Sequence, residues 1–381
     1  MIRARIYLVA LCLSAIGLNA TAKANDYDAS VLATGDESAA TAAADESTSA
    51  SSPSSNEASD LWSSYRPTEE PIETTTQPAL VEWADYRMRT MFASHTTYQF
   101  GTDTNFPGPQ YAPLSKLQWS LDSMWQGLQI GFEKPRWGAH FEWLTPMLHN
   151  SFGEMNDFDW SGADRPPALL STSPQHWSDA QMLELEGTVK IFDRILTLPV
   201  EFWTIAGYRY QRFGMMAYNG VQVINDDSFQ DPNIPQAGYR WHEEMISLNQ
   251  EYNMGYVGGQ LRTTWNAYED HPVLWKLQAD WAGTAGYNCD HHISGYEASG
   301  VHRYTYDITH GDAIHVALMA ETPLSQHISV GAQGDYTAIR TTGTHRWTMS
   351  GNTLPVDDSW TNGVKADSDQ ASITGFIRAQ F

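Results

Sequence analysis

Cysteine is almost missing from this chain. Of 381 residues only Cys12 and Cys289 carry a thiol, and Cys12 falls inside an N-terminal stretch that reads as a cleaved leader. A single remaining cysteine excludes an intrachain disulfide framework, so stability must come from hydrogen-bonded ladders and packing. Bases are scarce too. The 22 Lys and Arg stand against 45 Asp and Glu, a formal net charge of −23. Removing residues 1–24, which hold Arg3, Arg5 and Lys23, takes the charge to −26. A field of that sign draws the chain neither to nucleic acid nor to anionic lipid, and it favours cationic peptides. Long apolar runs are also lacking. Beyond residue 24 no stretch is long and uncharged enough for a membrane helix. A membrane-spanning reading therefore requires a closed β-barrel, the other architecture that satisfies every backbone group in lipid. A mean hydropathy of −0.43 agrees, because barrel strands turn only alternate residues toward lipid.

What is present divides the chain into three parts. In residues 1–24, Arg3 and Arg5 precede the apolar stretch Ile6 to Leu18, and Ala22-Lys23-Ala24 forms an A-x-A-type cleavage site, the pattern of a secretory signal. Cys12 follows Leu11 rather than a small residue, which argues against a lipoprotein. Residues 25–80 are rich in Ser, Thr, Ala and acids, with Arg66 as their one base. Such a stretch cannot bury enough apolar surface to offset its ordering entropy, and it is expected to be a disordered tail.

From Val81 to Phe381 the texture changes to long alternating segments. Leu117, Trp119 and Leu121 alternate with Gln118, Ser120 and Asp122. Leu128, Ile130 and Phe132 keep the same period up to the turn Glu133 to Arg136. Ile314, Val316 and Leu318 lead to turn signals at Pro323 to Gln326, and Ile373, Ile377 and Phe381 share one face at the C-terminus. Period-2 patterning with short turns on one side and long polar loops on the other predicts an all-β transmembrane antiparallel barrel. The 15 Trp and 18 Tyr suit aromatic girdles at two interfaces. A soluble β-sandwich would alternate as well, but it would need neither the leader nor the terminal aromatic.

Two ionisable pairs carry the chemistry. Asp157-x-Asp159 lies in GEMNDFDWSG and Asp290-x-His292 in GYNCDHHISG. The i, i+2 spacing places both members of each pair on one face of an extended strand. Two carboxylates on one face repel, so one holds its proton more firmly, and the pair can position a water. An Asp beside a His fixes the tautomer and stabilises the imidazolium. Two alternatives stand beside this. Asp290, His291 and His292 are also metal-ligand types, although no second His or Cys cluster has metal-site spacing. Cys289 next to a histidine is a candidate nucleophile, but in an extended segment it would share the face of His291, opposite Asp290.

At these residues the chain resembles the omptin family of outer-membrane aspartyl proteases. Ser115-Lys116-Leu117-Gln118-Trp119 is similar to the family's S-x-L-x-W segment, and Asp157-Phe158-Asp159-Trp160 to its D-x-D-W motif. Ala206-Gly207-Tyr208 followed by Arg212 resembles its A-G-Y segment, and Asp290-His291-His292 its D-x-H motif. The resemblance spans Val81 to Phe381. It implies a ten-stranded barrel in the bacterial outer membrane that extends above it, with a catalytic groove at the extracellular rim. The chain would work as a monomer on peptides and proteins. Asp290 and His292 would activate a water, with Asp157 and Asp159 across the groove, and neither a metal nor an acyl-enzyme would be involved. The family's cofactor-like need is lipopolysaccharide, and Tyr208 and Arg212 match part of the site that grips it. Glu251 and Thr309 stand where further lipid-binding bases are expected. The pocket for the side chain before the cut also departs from the family. Its two acids align with Gln99 and Asn288, which implies a non-standard preference unless Glu154 or Asp307 supplies the missing charge. Two rival functions are a catalytically silent barrel used for adhesion, and an unrelated porin or lipid-modifying barrel.

Overall fold

A computed structural model describes residues 80–101, 113–160, 167–225, 238–268, 271–293, 300–351 and 355–381. The leader, and the tail up to residue 79, lie outside the described residues. The strands are β1 (Val81–Phe100), β2 (Ser115–Ser120), β3 (Ser123–Glu133), β4 (Trp137–Pro146), β5 (Asn150–Asp159), β6 (Leu169–Phe192) and β7 (Glu201–Tyr218). They continue as β8 (Val221–Asn225), β9 (Glu244–Tyr268), β10 (His271–His292), β11 (Val301–Pro323), β12 (Ile328–Gly351) and β13 (Val356–Gln380). Every pairing is antiparallel, and β13 returns to β1 from Trp83↔Gln380 to Phe100↔Val364, which closes the sheet. Closure removes the unpaired edges that an open sheet would expose. Three staves consist of two segments each (β2 with β3, β4 with β5, β7 with β8), so the thirteen segments form a ring of ten staves.

Alternation sorts the side chains. Leu128 and Ile130 on β3, Leu185 on β6, Val257 on β9, Trp281 on β10 and Ile377 on β13 point outward and are exposed, a belt for lipid. On β11 the outward row changes from Ile314 to the polar pair Asp312 and His310, which marks the top of the belt. The inward rows differ below and above that level. Below it, ion pairs cross the lumen: Arg378 bonds Asp85 and Glu321 at 2.7 Å, and Arg209 bonds Asp280 at 2.6 Å and Glu184 at 2.9 Å. Gly207 leaves room for this network, because a Cβ there would sit 2.5 Å from the Tyr256 hydroxyl. That hydroxyl donates to Glu184 at 2.7 Å or Glu186 at 3.0 Å. Above these pairs lies an apolar layer that includes the fully buried Trp119, Trp125, Phe213, Met215 and Leu248. The candidate site sits on top of it.

Candidate active site

Asp157 and Asp159 end β5, and Asp290 and His292 end β10. Both strands finish at the rim opposite the short turns. Asp290 and His292 lie on the inward row of β10 with the buried Asn288, and Asp290 itself is 0% exposed. His292 Nε2 is 2.9 Å from Asp290 Oδ2. Across the lumen, β5 pairs with β2, so Asp159 lies opposite Ser115 and Asp157 opposite Leu117. Asp157 is only partly buried, but its Oδ1 is shut off from water without a hydrogen-bond partner.

The four residues act on one another electrostatically. Burial, then the charge of Asp159, then that of Asp290 hold the Asp157 carboxyl well above the ordinary aspartate range, while Arg303 draws it down. Burial raises Asp159 too, less far, and the Ser115 hydroxyl, His292 and Arg303 pull it back. Asp157 is thus the member of the pair that keeps a proton.

Beneath the dyad lies a buried polar chamber. Asn288 faces Gln250 across β9 and Asp307 across β11, and both polar atoms of its side chain are buried without a partner. Asp307 is also fully buried. Its Oδ1 meets His345 Nδ1 at 2.8 Å, while its Oδ2 has no partner. Burial first, and then Asp290, raise the Asp307 carboxyl, opposed by its bond to His345. Buried polar groups left open in this way point to a ligand or to ordered water. The Tyr98 hydroxyl closes one side, 2.8 Å from Thr305 Oγ1 and 3.3 Å from His345 Nδ1.

Gln99 does not join this chamber. Its neighbours Tyr98 and Phe100 take the inward row, and Gln99 lies on the outer face. The cause is a bulge. Ala93 has φ 49°, and the β1–β13 register shifts between Phe92 and His95. Below the bulge odd-numbered residues such as Asp85, Arg87 and Met91 point inward, and above it even-numbered ones do, because one extra residue reverses every side chain that follows. Glu154 is exposed on the row opposite the buried Met155, so it adds no charge to the chamber. Of the two compensating acids considered, Asp307 is in place.

Tyr208 and Arg212 lie on the outer wall, as expected of a lipid contact. Arg212, however, already meets Asp179 at 3.1 Å and Glu251 at 3.7 Å. Thr309, aligned with the same outer surface, is 0% exposed and points inward, since it shares the row of Asp307. Cys289 and His291 face away from the dyad. His291 stacks on Tyr304 with ring centroids 4.0 Å apart. Burial, with Asp290 and Asp307 behind it, pushes the Cys289 thiol up to about 11, which leaves almost no thiolate for a nucleophilic role. Among the described residues one group has metal-type donors within 4.8 Å of one another: His140, Glu184 and Glu186. It lies deep in the lumen, where its carboxylates already accept bonds from Arg209, Tyr256 and Gln278. Three residues escaped the motif reading. Arg303, Tyr98 and Ser115 all point to the site, and the only signal for Arg303 was the polar row Arg303, Thr305, Asp307 and Thr309 alternating with Tyr304, Tyr306 and Ile308.

No family profile and no curated protein sequence matches the chain. Among solved structures, the outer membrane protease OmpT from Escherichia coli is similar over 81% of this chain and 99% of its own, with a TM-score of 0.64 and 16% identity. A Pseudomonas aeruginosa FadL homologue aligns over 80% of this chain and 90% of its own with a TM-score of only 0.21 and 8% identity. The barrel that carries Asp157, Asp159, Asp290 and His292 has the fold of OmpT.

Proposed function

We propose that this chain is an outer-membrane endopeptidase, its groove facing the cell exterior, that hydrolyses peptide bonds with a water activated by Asp290 and His292. The observation that carries the reading is the 2.9 Å contact of the dyad, set across the rim from two carboxyls of unequal acidity. Asp290 holds the Nε2 proton, so Nδ1 is the atom able to accept a proton from water. Ionised Asp159 orients that water. Protonated Asp157 donates a hydrogen bond toward the substrate. The imidazolium then returns its proton to the leaving amine, as general acid–base catalysis requires. The OmpT fold supports the class of reaction, because OmpT is a protease.

Specificity follows from the chamber. It offers the amide of Asn288 and one open carboxylate oxygen on Asp307, whose other oxygen is shared with His345. A basic side chain before the cut would meet one shared carboxylate, so the preference for it should be moderate, with polar neutral side chains also accepted. On the outer wall Arg212 is held by two acids, and a lipopolysaccharide phosphate would have to displace them. Tyr208 supports lipid contact with only a weak phosphate grip. Ion pairs and a bond between Gln211 on β7 and Gln370 on β13 at 2.9 Å cross the lumen, which counts against an open porin.

The test is cleavage of a mixed peptide library by the refolded barrel, with and without lipopolysaccharide, beside Asp157→Asn and His292→Ala. Cuts by the wild type that disappear in His292→Ala and fall sharply in Asp157→Asn support the reading. A folded wild type that cuts nothing across the pH range sinks it, and moves the adhesion reading ahead.

A further inference from the structure

We infer that Arg303 is a catalytic residue whose guanidinium binds the carbonyl oxygen of the scissile peptide as that oxygen becomes an anion. This role rests on the endopeptidase reading above. Attack by water forms the new C–O bond, passes a water proton to His292 Nδ1, and moves the carbonyl electron pair onto oxygen. When the intermediate collapses, the C–N bond breaks and the imidazolium proton goes to the amine. The oxyanion needs hydrogen-bond donors while it exists.

The wall around the site offers few. Backbone N–H groups often form an oxyanion hole, but here Asp290 pairs with Thr305, His292 with Arg303 and Asp157 with Ser171 in continuous ladders. Side chains must take over, and most of those at the rim are acids: Asp157, Asp159, Asp290 and Asp307. An oxyanion among them would be repelled unless a cation stood close.

Arg303 meets the need. It stands directly across the β10–β11 ladder from His292, on the inward row with the buried Val301, Thr305 and Asp307. Its guanidinium lies 5.1 Å over the Trp347 ring, a stacking contact that holds the planar donor fork in place. Its charge also reaches the opposite bank, where it acts on both Asp157 and Asp159. The other cations nearby are committed elsewhere: His345 to Asp307 at 2.8 Å, and Lys116 to the outer side, 5.9 Å over Phe158.

The experiment uses the refolded full-length barrel and its best library peptide, with Arg303→Ala and Arg303→Lys checked for folding by β-sheet circular dichroism. Loss of one oxyanion donor typically lowers kcat by about 10²–10³. Arg303→Ala should show a drop of that order with KM nearly unchanged, and Arg303→Lys a smaller one. Millimolar guanidinium ion should restore part of the activity of Arg303→Ala and none of that of His292→Ala, which a merely structural role would not produce. Arg303→Ala with wild-type kcat, a change confined to KM, or a defect that guanidinium leaves untouched would overturn this role alone. A wild type that cuts no peptide would overturn the endopeptidase reading and this role with it.

Discussion

The lumen holds two populations of the same residue types, and their partners differ. In the lower lumen each carboxylate of the network meets a guanidinium or imidazole: Asp85 and Glu321 meet Arg378, and Asp280 meets both Arg209 and His315. At the rim, Asp157, Asp159, Asp290 and Asp307 crowd together, with buried oxygens on Asp157 and Asp307 left without hydrogen bonds. Removing one partner of a buried pair leaves an uncompensated charge, so the lower network fills and holds the barrel. Acids that stay under-satisfied cost stability, and such sites are where chemistry concentrates. A motif search for carboxylates and histidines finds both groups. Partners separate the scaffold from the site.

Four substitutions test that division. His292→Ala should have the largest effect, a fall in kcat of about 10³ or more, with the thermal transition barely moved. A similar loss of stability would instead place His292 with the scaffold. Arg209→Met should do the reverse. It strands Asp280 and Glu184, and breaking a buried pair costs about 3–5 kcal/mol. Denaturant unfolding should register that loss, while the folded fraction keeps kcat within about twofold.

Asp307→Asn should act on specificity. Loss of a charge-assisted bond, about 1.5–3 kcal/mol, would lower kcat/KM by roughly ten- to a hundredfold for substrates with a basic residue before the cut. Neutral substrates should change little. An equal loss for both classes would remove Asp307 from the pocket.

The smallest effect concerns Asp157 and pH. Its carboxyl is raised in the folded state, by burial first and then by Asp159. Between the ordinary aspartate value of about 3.9 and that raised value, the native state binds a proton the unfolded chain lacks. Stability from this group is therefore full at acid pH and is lost as pH rises through the folded value. Asp157→Asn should raise the apparent Tm near pH 8 by a few degrees, on the order expected for about 1 kcal/mol, and the gain should vanish toward pH 4. A variant less stable than wild type at pH 8 would contradict the unpaired-acid picture.

Much of the fold was readable from residues. Leu128 and Ile130 on the outer face, the turn after Pro323, and the inward pairs at Asp157/Asp159 and Asp290/His292 all follow from period 2 and turn chemistry, which are local. What stayed hidden depends on register. Gln99 was assigned inward because nothing in TMFASHTTYQF marks the extra residue at Ala93 that reverses the face. Thr309 and Asp307 were given opposite faces although two residues apart, which a regular strand forbids, and the structure keeps both inside. Arg303 meets His292 only through the β10–β11 pairing, and the loop between them is long enough to permit several registers.

The most direct measurement is kcat for peptide cleavage by Asp290→Asn beside the wild type, with the unfolding transition of each recorded in the same buffer. The dyad account predicts a fall of about 10³ or more in kcat with an unfolding midpoint equal to or above the wild type's, because a buried, under-satisfied carboxylate has been replaced by a neutral isostere. Asp290→Asn cutting within tenfold of wild type, or losing activity only because it no longer folds, would contradict it.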